Sequence, residues 1–507
     1  MAVSTRKPLG KCQKSDKFAT TFDKRKGTNG RDRMAKSKPV KKKPSKKAPA
    51  RKAGTTKAKA PKKVSVDDLL KKAYEPARLA MAYHPFYGGK IEIVSKCVVR
   101  DFNDFAIWYT PGVAEPCKDI QKNPEKSYVH TNRWNTVGVI SDGTRVLGLG
   151  DIGPEAGMPV MEGKSLLFKY LGGVDAFPLC LGTKDPEEFI NTVKYLQPSL
   201  GGVNLEDISQ PKCFYILKRL REECEIPVWH DDQQGTGTIV AAGAINAAKI
   251  VGKKPSQMKA VFIGAGAANI AISRIMHLSG YKWENMVMCD SKGSLHMGRT
   301  DVKADYKEKW FMCEHSNKEC VVGDVPTAMK GADIVVAASK PGPGTVKPDW
   351  IKGMADDSIV FATANPIPEI WPWEAKEAGA KIVATGRSDF PNQVNNSLGF
   401  PGIFRGTLDV KAKTISDTMC LAAVLELAKT AEDKGLREDY IVPTMDEWDV
   451  FPREAAAVGT AAIKEGIARE KHSRKDLYEK AEAIIGRARR QTEYLMKGKF
   501  ILPPPKV

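Results

Sequence analysis

Short apolar runs that stop at glycines alternate with amphipathic stretches over most of this chain, the pattern of strands covered by helices. VGVISDG (137–143), RVLGLGDIG (145–153) and AFPLCLG (176–182) read as strands ending in glycine-rich turns. KSLLFKYLGG (164–173) and DPEEFINTVKYLQPSLGG (185–202) read as helices closing at glycines. Near residue 260 a stronger unit begins: KAVFIGAGAANIAISRIMHLSG followed by NMVMCD is strand, glycine turn, helix, strand. ADIVVAAS, DSIVFATAN and AKIVATG repeat the buried-strand pattern, which predicts a parallel sheet covered by helices. After about residue 411 the pattern turns helical, in TISDTMCLAAVLELAKTAED and DLYEKAEAIIGRARRQTEYLMKG. Order is expected to start at Ser65-Val66-Asp67-Asp68, an N-cap with acids in the first turn.

The expected architecture is therefore α/β: a parallel-sheet domain over 64–235, a doubly wound dinucleotide-binding domain over 236–410, and a helical segment over 411–507 that completes the fold. Residues 1–63 stand apart. They hold 23 Lys and Arg against three acids (Asp16, Asp23 and Asp32), so they carry the whole formal charge of +20. The other residues have 57 bases and 57 acids, so a polyanion has no overall reason to bind the body. Lys-, Ala- and Pro-rich composition with few apolar groups predicts disorder for the tail. It is compatible with a solvated extension, a tether to nucleic acid or another polyanion, or part of a targeting peptide, and Met34 offers a second start.

Ten scattered cysteines without a C-x-x-C pair point to reduced thiols, and Cys313, His315 and Cys320 make no complete zinc set. Nowhere do 18 apolar residues run uninterrupted, so no membrane span is expected. These features predict a cytoplasmic protein, or an organellar one if the tail contains a targeting segment.

Gly264-Ala265-Gly266-Ala267-Ala268-Asn269 follows the apolar strand and opens a helix. The first glycine permits a tight turn and the second lets backbone approach a pyrophosphate at the helix N-terminus. The third glycine position holds Ala268 or Asn269, so the fingerprint is incomplete. Asp290 closes the next strand, 24 residues after Gly266, where an acid can accept from ribose hydroxyls. Ser291 and Lys292 could instead hold a 2′-phosphate, which leaves NAD and NADP both open.

Two acid pairs occupy loop positions, Glu206-Asp207 in VNLEDIS and Asp231-Asp232 in VWHDDQQGTGT. Such clusters at strand ends suit Mg²⁺ or Mn²⁺, hard cations that take several oxygens. A cap on the helix starting near Gly235 explains Asp231 or Asp232 equally well. Tyr109 before a Pro-Gly turn and Lys164 at a helix start could form a proton-relay pair if the fold joins them, with desolvation lowering the lysine pKa. Taken singly, Tyr109 could be a core aromatic and Lys164 a surface charge.

YTPGVAEPC (109–117), SDGTRVLGLGDIG (141–153), MPVMEGKSLLFKYLGGVDAFPLCLGT (158–183), NLEDIS (204–209), HDDQQGTGTIVAAGAINA (230–247), FIGAGAANIA (262–271), DSKG (290–293), FATANPIPEI (361–370) and QVNNSLGFPGIFRG (393–406) together resemble the malic enzyme family, in its shorter microbial form. The resemblance covers roughly residues 75–410. It implies metal-dependent oxidative decarboxylation of malate to pyruvate with reduction of NAD or NADP, or, in a malolactic variant, release of lactate with the nucleotide kept bound. It also implies a homodimer or homotetramer.

By that resemblance Tyr109 is the acid that protonates the enol carbon and Lys164 the base that removes the 2-hydroxyl proton. Glu206, Asp207 and Asp232 match the metal ligands, and Asp231 an acid that holds the lysine. Arg145 matches a carboxylate-gripping arginine. Asn365, Asn395 and Asn396 match substrate-binding amides, Asn365 also reaching the cofactor. The cofactor positions are Gly264, Gly266, Ala267, Ala268, Asn269 and Asp290. Gln234 stands where the short type often has histidine, and the basic tail is no family feature.

Overall fold

The computed structural model describes residues 66–507; the expectation for the basic tail lies outside them. The helix predicted from the Asp67-Asp68 start runs Val66–Tyr87.

Four parallel strands form the first sheet: β1 (Thr136–Ser141), β2 (Asp175–Cys180), β3 (Gly202–Leu205) and β4 (Val228–His230), in the order β2-β1-β3-β4. β1 is buried at every position, as the unbroken run TVGVIS requires of a central strand. Helices Pro154–Gly172, Pro186–Leu196 and Lys212–Glu223 link successive strands. The first ends at Gly173, whose left-handed φ of 64° lets its N–H return to the last turn. Asp185 caps the second by accepting from the Glu187 and Glu188 amides.

RVLGLGDIG is not a strand, contrary to expectation. Only an isolated Val146–Gly150 bridge forms, and the segment folds as a tight loop. Gly150 and Gly153 take φ of 86° and 83°, and even Leu147 sits at 48°, which turns the backbone out of any ladder.

The second sheet contains β5 (Ala260–Ile263), β6 (Met286–Asp290), β7 (Gly293–Ser294), β8 (Ile334–Ala337), β9 (Ile359–Ala362) and β10 (Ile382–Thr385), in the order β10-β9-β8-β5-β6-β7. All are parallel except β7, a two-residue strand that folds back on β6. This is the order of a doubly wound dinucleotide-binding sheet, with its outer strand on that side reduced to a hairpin.

Helix Thr236–Ile250, mostly Ala, Gly, Ile and Val, is buried almost all round. Its packing joins the two sheets: Val137 and Trp229 on one side and Phe262 and Phe361 on the other belong to one core with Val240 and Ala244. Gly243 has no Cβ to hold the Phe361 ring away. Helices Phe400–Asp409, Asp417–Lys434, Val450–Glu465 and Arg474–Lys497 follow.

One segment behaves differently. Residues 91–100 run with no strand partner among the described residues, and the short helix Asp104–Trp108 follows. Ile93, Val98, Phe102, Ile107 and Tyr109 along it are exposed. No described helix is long and apolar enough to cross a membrane.

Candidate active site

Parallel register builds the acidic centre. Leu205 on β3 is the partner of His230 on β4, so Glu206-Asp207 and Asp231-Asp232 leave neighbouring strands side by side at their carboxyl ends. Ligand oxygens of Glu206, Asp207 and Asp232 all lie within 4.8 Å of one another. Asp207 takes φ 55°, and its amide donates to Asp232 Oδ2 at 2.8 Å. Its own Oδ2 is buried without a partner.

Burial raises the pKa of Glu206 and Asp207 well above the usual carboxylate range. Lys164 partly opposes this at Glu206, and the neighbouring Asp232 adds to it at Asp207. Burial also raises Asp232. Three carboxylates this close, with Glu206 and Asp207 buried and Asp232 half-buried, repel one another unless a cation sits among them, and an orphaned buried oxygen is what such an ion would satisfy. The donor set is all oxygen, so it fits Mg²⁺ or Mn²⁺ rather than a thiolate-seeking metal.

Lys164 projects from helix Pro154–Gly172 with its ammonium 2.5 Å from Asp231 Oδ2 and 3.1 Å from Glu206 Oε1. It also donates to Asn396 Oδ1 at 3.3 Å and lies 4.5 Å from the centre of the Phe400 ring. Desolvation lowers its pKa, but Asp231 and Glu206 outweigh that, and the net position is above the ordinary lysine value. This corrects the expectation of a lysine lowered by burial: its burial comes with two anions.

Asp231 is not a helix cap. Residues Asp231–Gly235 make one π-helical turn before helix Thr236–Ile250, and the Asp231 side chain points to Lys164 and accepts from Trp229 Nε1 at 3.1 Å. A Cβ on Gly235 would lie 2.0 Å from Asp231 Oδ1, so only glycine leaves room for that carboxylate. Gln234 is buried and accepts from the His230 amide.

The loop misread as a strand connects this centre to a second cleft. The Arg145 amide donates to Asp207 O at 2.9 Å. Arg145 and Gly148 line a cavity of about 350 Å³ together with Gly264, Gly266, Asp290 and Ser339. Gly264 makes the expected tight turn at φ 99°, and Ala267 and Ala268 open the following helix. Asn269 faces inward, donating to the carbonyls of Ile263 and Gly264 at 2.9 and 2.8 Å, so it braces the turn where a third glycine was expected.

Asp290 ends β6 as expected. Its carboxylate is gripped by Arg299 at 2.8 and 2.9 Å, with the Lys292 amide at 2.9 Å. Asn365 follows β9, and its side chain packs against Gly386. Asn395 differs from Asn396: it donates to Gly386 O and accepts from the Ser397 amide, which ties it to its own turn.

Two models of protein families match the chain, "Malic enzyme, N-terminal domain" over residues 88–221 and "Malic enzyme, NAD binding domain" over residues 233–463. The chain belongs to the malic enzyme family. It is 47% identical over 409 residues to the "Bifunctional malic/malolactic enzyme" of Bacillus subtilis, covering 80% of this chain and 98% of the relative. Against the "NAD-dependent malic enzyme" of Geobacillus stearothermophilus it is 49% identical, over 76% of this chain and 78% of that one. The crystal structure of Entamoeba histolytica malic enzyme superposes with a TM-score of 0.85 at 48% identity, covering 88% of this chain and 93% of that chain.

Among the residues expected in a malic enzyme site, Lys164, Glu206, Asp207, Asp231, Asp232 and Asn396 form one connected group. Tyr109 does not join it within one copy. Tyr109 is 72% exposed, the Lys164 side chain 7%, and no contact links them among the described residues. Reading residue types overlooked Arg299 and Glu369. Arg299 lies in a polar stretch with no periodicity, and the only hint of Glu369 is an acid after two prolines in NPIPE.

Proposed function

We propose that this malic enzyme oxidises malate to pyruvate and carbon dioxide, with reduction of NAD or NADP and a requirement for Mg²⁺ or Mn²⁺. The observation that carries this reading is Lys164 held by Asp231 and Glu206 at the edge of the Glu206–Asp207–Asp232 cluster. The Glu206, Asp207 and Asp232 carboxylates would hold the cation, which would supply Lewis acidity to the substrate oxygens, and a bound dinucleotide would take up the hydride from C2 of malate.

The chain's own residues perform the proton work. Lys164 removes the 2-hydroxyl proton as C2 becomes a ketone, and Asp231 and Asn396 orient its amine. The C3–C4 bond then breaks, carbon dioxide leaves, and the electron pair forms the enolate. Tyr109 donates its phenolic proton to C3, and the enolate becomes the ketone of pyruvate. Arg145, exposed at the mouth of the loop, grips a malate carboxylate. With the charge of Glu206 and Asp232 taken up by a cation, less holds the proton on Lys164, and desolvation can bring the amine to a working range.

Tyr109 is contributed by a second copy of the chain. The exposed apolar run from Ile93 to Tyr109 supports this, because a patch of that kind belongs at an interface. Mixing Tyr109→Phe chains with Lys164→Ala chains is expected to restore part of the activity that each lacks alone; no recovery would remove the shared site. Lys164→Ala itself is expected to lose turnover far more than malate affinity, and near-normal kcat would exclude the lysine as base.

The Bacillus relative's name favours a second reading, a malolactic capacity in the same site. Formation of lactate from malate without net nicotinamide reduction identifies it. For the tail, the charge of +20 in 63 residues supports a polyanion tether. Salt-sensitive DNA retention should vanish when residues 1–63 are deleted.

A further inference from the structure

Glu369 is fully buried, yet no Lys, Arg or His side chain pairs with it among the described residues. Its carboxylate is occupied by main chain. Oε1 accepts from the Ser339 amide at 2.9 Å, with Ser339 Oγ at 3.4 Å, and Oε2 accepts from the Ala364 amide at 3.0 Å. Those amides belong to two different segments. Ser339 follows β8 and stands against the first glycine of the dinucleotide turn, since a Cβ on Gly264 would lie 3.1 Å from Ser339 Cβ. Ala364 follows β9 and immediately precedes Asn365.

Both segments meet the loop from the acidic centre. A Cβ on Gly148 would strike Pro341 Cγ at 2.1 Å and Asn365 O at 2.6 Å. The two oxygens of one side chain therefore tie together the segment beside the Gly264 turn and the segment that leads into Asn365.

We propose that Glu369 is a positioning residue for the dinucleotide: its carboxylate holds the 338–341 and 363–366 segments, and so the Gly264 turn and Asn365, at a fixed separation. This rests on the reading of the Gly264 turn and Asn365 as cofactor-binding. A buried carboxylate serving two N–H donors is hard to replace. Glutamine offers one acceptor oxygen and turns an NH₂ toward the second donor, leaving a buried N–H unpaired. Burial, partly offset by these hydrogen bonds, moves the acid up to about 7, so loss of its charge falls near neutrality. Protonation removes part of its accepting capacity for the same two amides.

The test uses the full-length enzyme with Mn²⁺, titrated with NAD and with NADP by quenching of protein fluorescence from mildly acid to alkaline pH. Glu369→Gln is expected to weaken dinucleotide binding about tenfold or more and to leave Mn²⁺ affinity, read by electron paramagnetic resonance, unchanged. Wild-type affinity should fall as pH drops through neutrality, and that inflection should be missing in the variant. A folded Glu369→Gln enzyme with wild-type affinity and an unaltered pH profile overturns the proposal. A flat wild-type profile overturns it whether or not the variant folds. Failure of the wild-type enzyme to bind either dinucleotide overturns instead the cofactor reading beneath it.

Discussion

Replacing Asp231 by asparagine keeps the side chain's shape and removes the charge nearest Lys164. Asp231 is fully buried and the Lys164 side chain 7% exposed, so solvent does little to screen their 2.5 Å pair. Breaking such a pair from one side costs about 3–5 kcal/mol. Glu206 remains 3.1 Å from the ammonium and retains part of the attraction, which places the loss at the lower end, about 3 kcal/mol. The amide cannot serve both neighbours of the carboxylate. If its oxygen still accepts from Trp229 Nε1, its NH₂ faces the ammonium; if it turns round, the indole N–H loses its acceptor. That loss is read by the thermal melt; with the amine no longer aimed, kcat is expected to fall roughly 100-fold, the scale of a misplaced proton-transfer group. The assay is initial-rate reduction of the dinucleotide at saturating malate and Mn²⁺, beside a thermal melt of each protein. A variant with kcat close to wild type would refute the claim that Asp231 positions the lysine.

Other parts of the structure give independent checks. Gly235→Ala puts a methyl 2.0 Å from Asp231 Oδ1 and is expected to reproduce much of the Asp231→Asn defect with no change of charge; normal kinetics would show that the turn yields freely. Asp232→Asn removes one oxygen donor of the acidic centre, so the Mn²⁺ concentration for half-maximal activity should rise sharply, which a metal titration reads directly. Protons compete for the same raised carboxylates, so Mn²⁺ should bind less tightly as pH falls. Glu454 supplies a pH test of stability. It is buried in helix Val450–Glu465 with neither oxygen hydrogen-bonded, and burial raises its pKa well above the ordinary value. A carboxyl raised in the folded state binds more protons there than when unfolded, so stability falls as pH climbs above the unfolded pKa of about 4.3. Glu454→Gln should therefore melt higher than wild type at neutral pH, by a margin that shrinks in acid. A margin independent of pH would contradict a buried, ionisable Glu454.

The elements that could be read along the chain are those whose burial is continuous. AVFI, IVVA and IVFA are apolar at every position because both faces of their sheet are covered, and each becomes a strand. RVLGLGDIG has similar apolar content but fails as a strand, because positive φ at Gly150 and Gly153 folds it into a loop. That failure places it where function needs it: the loop holds Asp207 through the Arg145 amide and carries Gly148 to Asn365. Composition cannot distinguish an apolar strand from an apolar loop that lines a cleft.

The site shows the same division. Carboxylate pairs at 206–207 and 231–232 are visible as residue types, but their meeting depends on the pairing of Leu205 with His230 across parallel strands, and spacing along the chain does not encode which strands become neighbours. The sign of the Lys164 shift depends on the same pairing. Burial alone would discharge the amine, whereas burial against Asp231 and Glu206 holds its proton. In the proposed mechanism, a cation taken up by the acidic centre offsets the carboxylate charge that keeps Lys164 protonated. On that reading the register that brings the acids together also couples metal binding to the state of Lys164, so removing the cation is expected to disable proton abstraction as well as Lewis-acid activation.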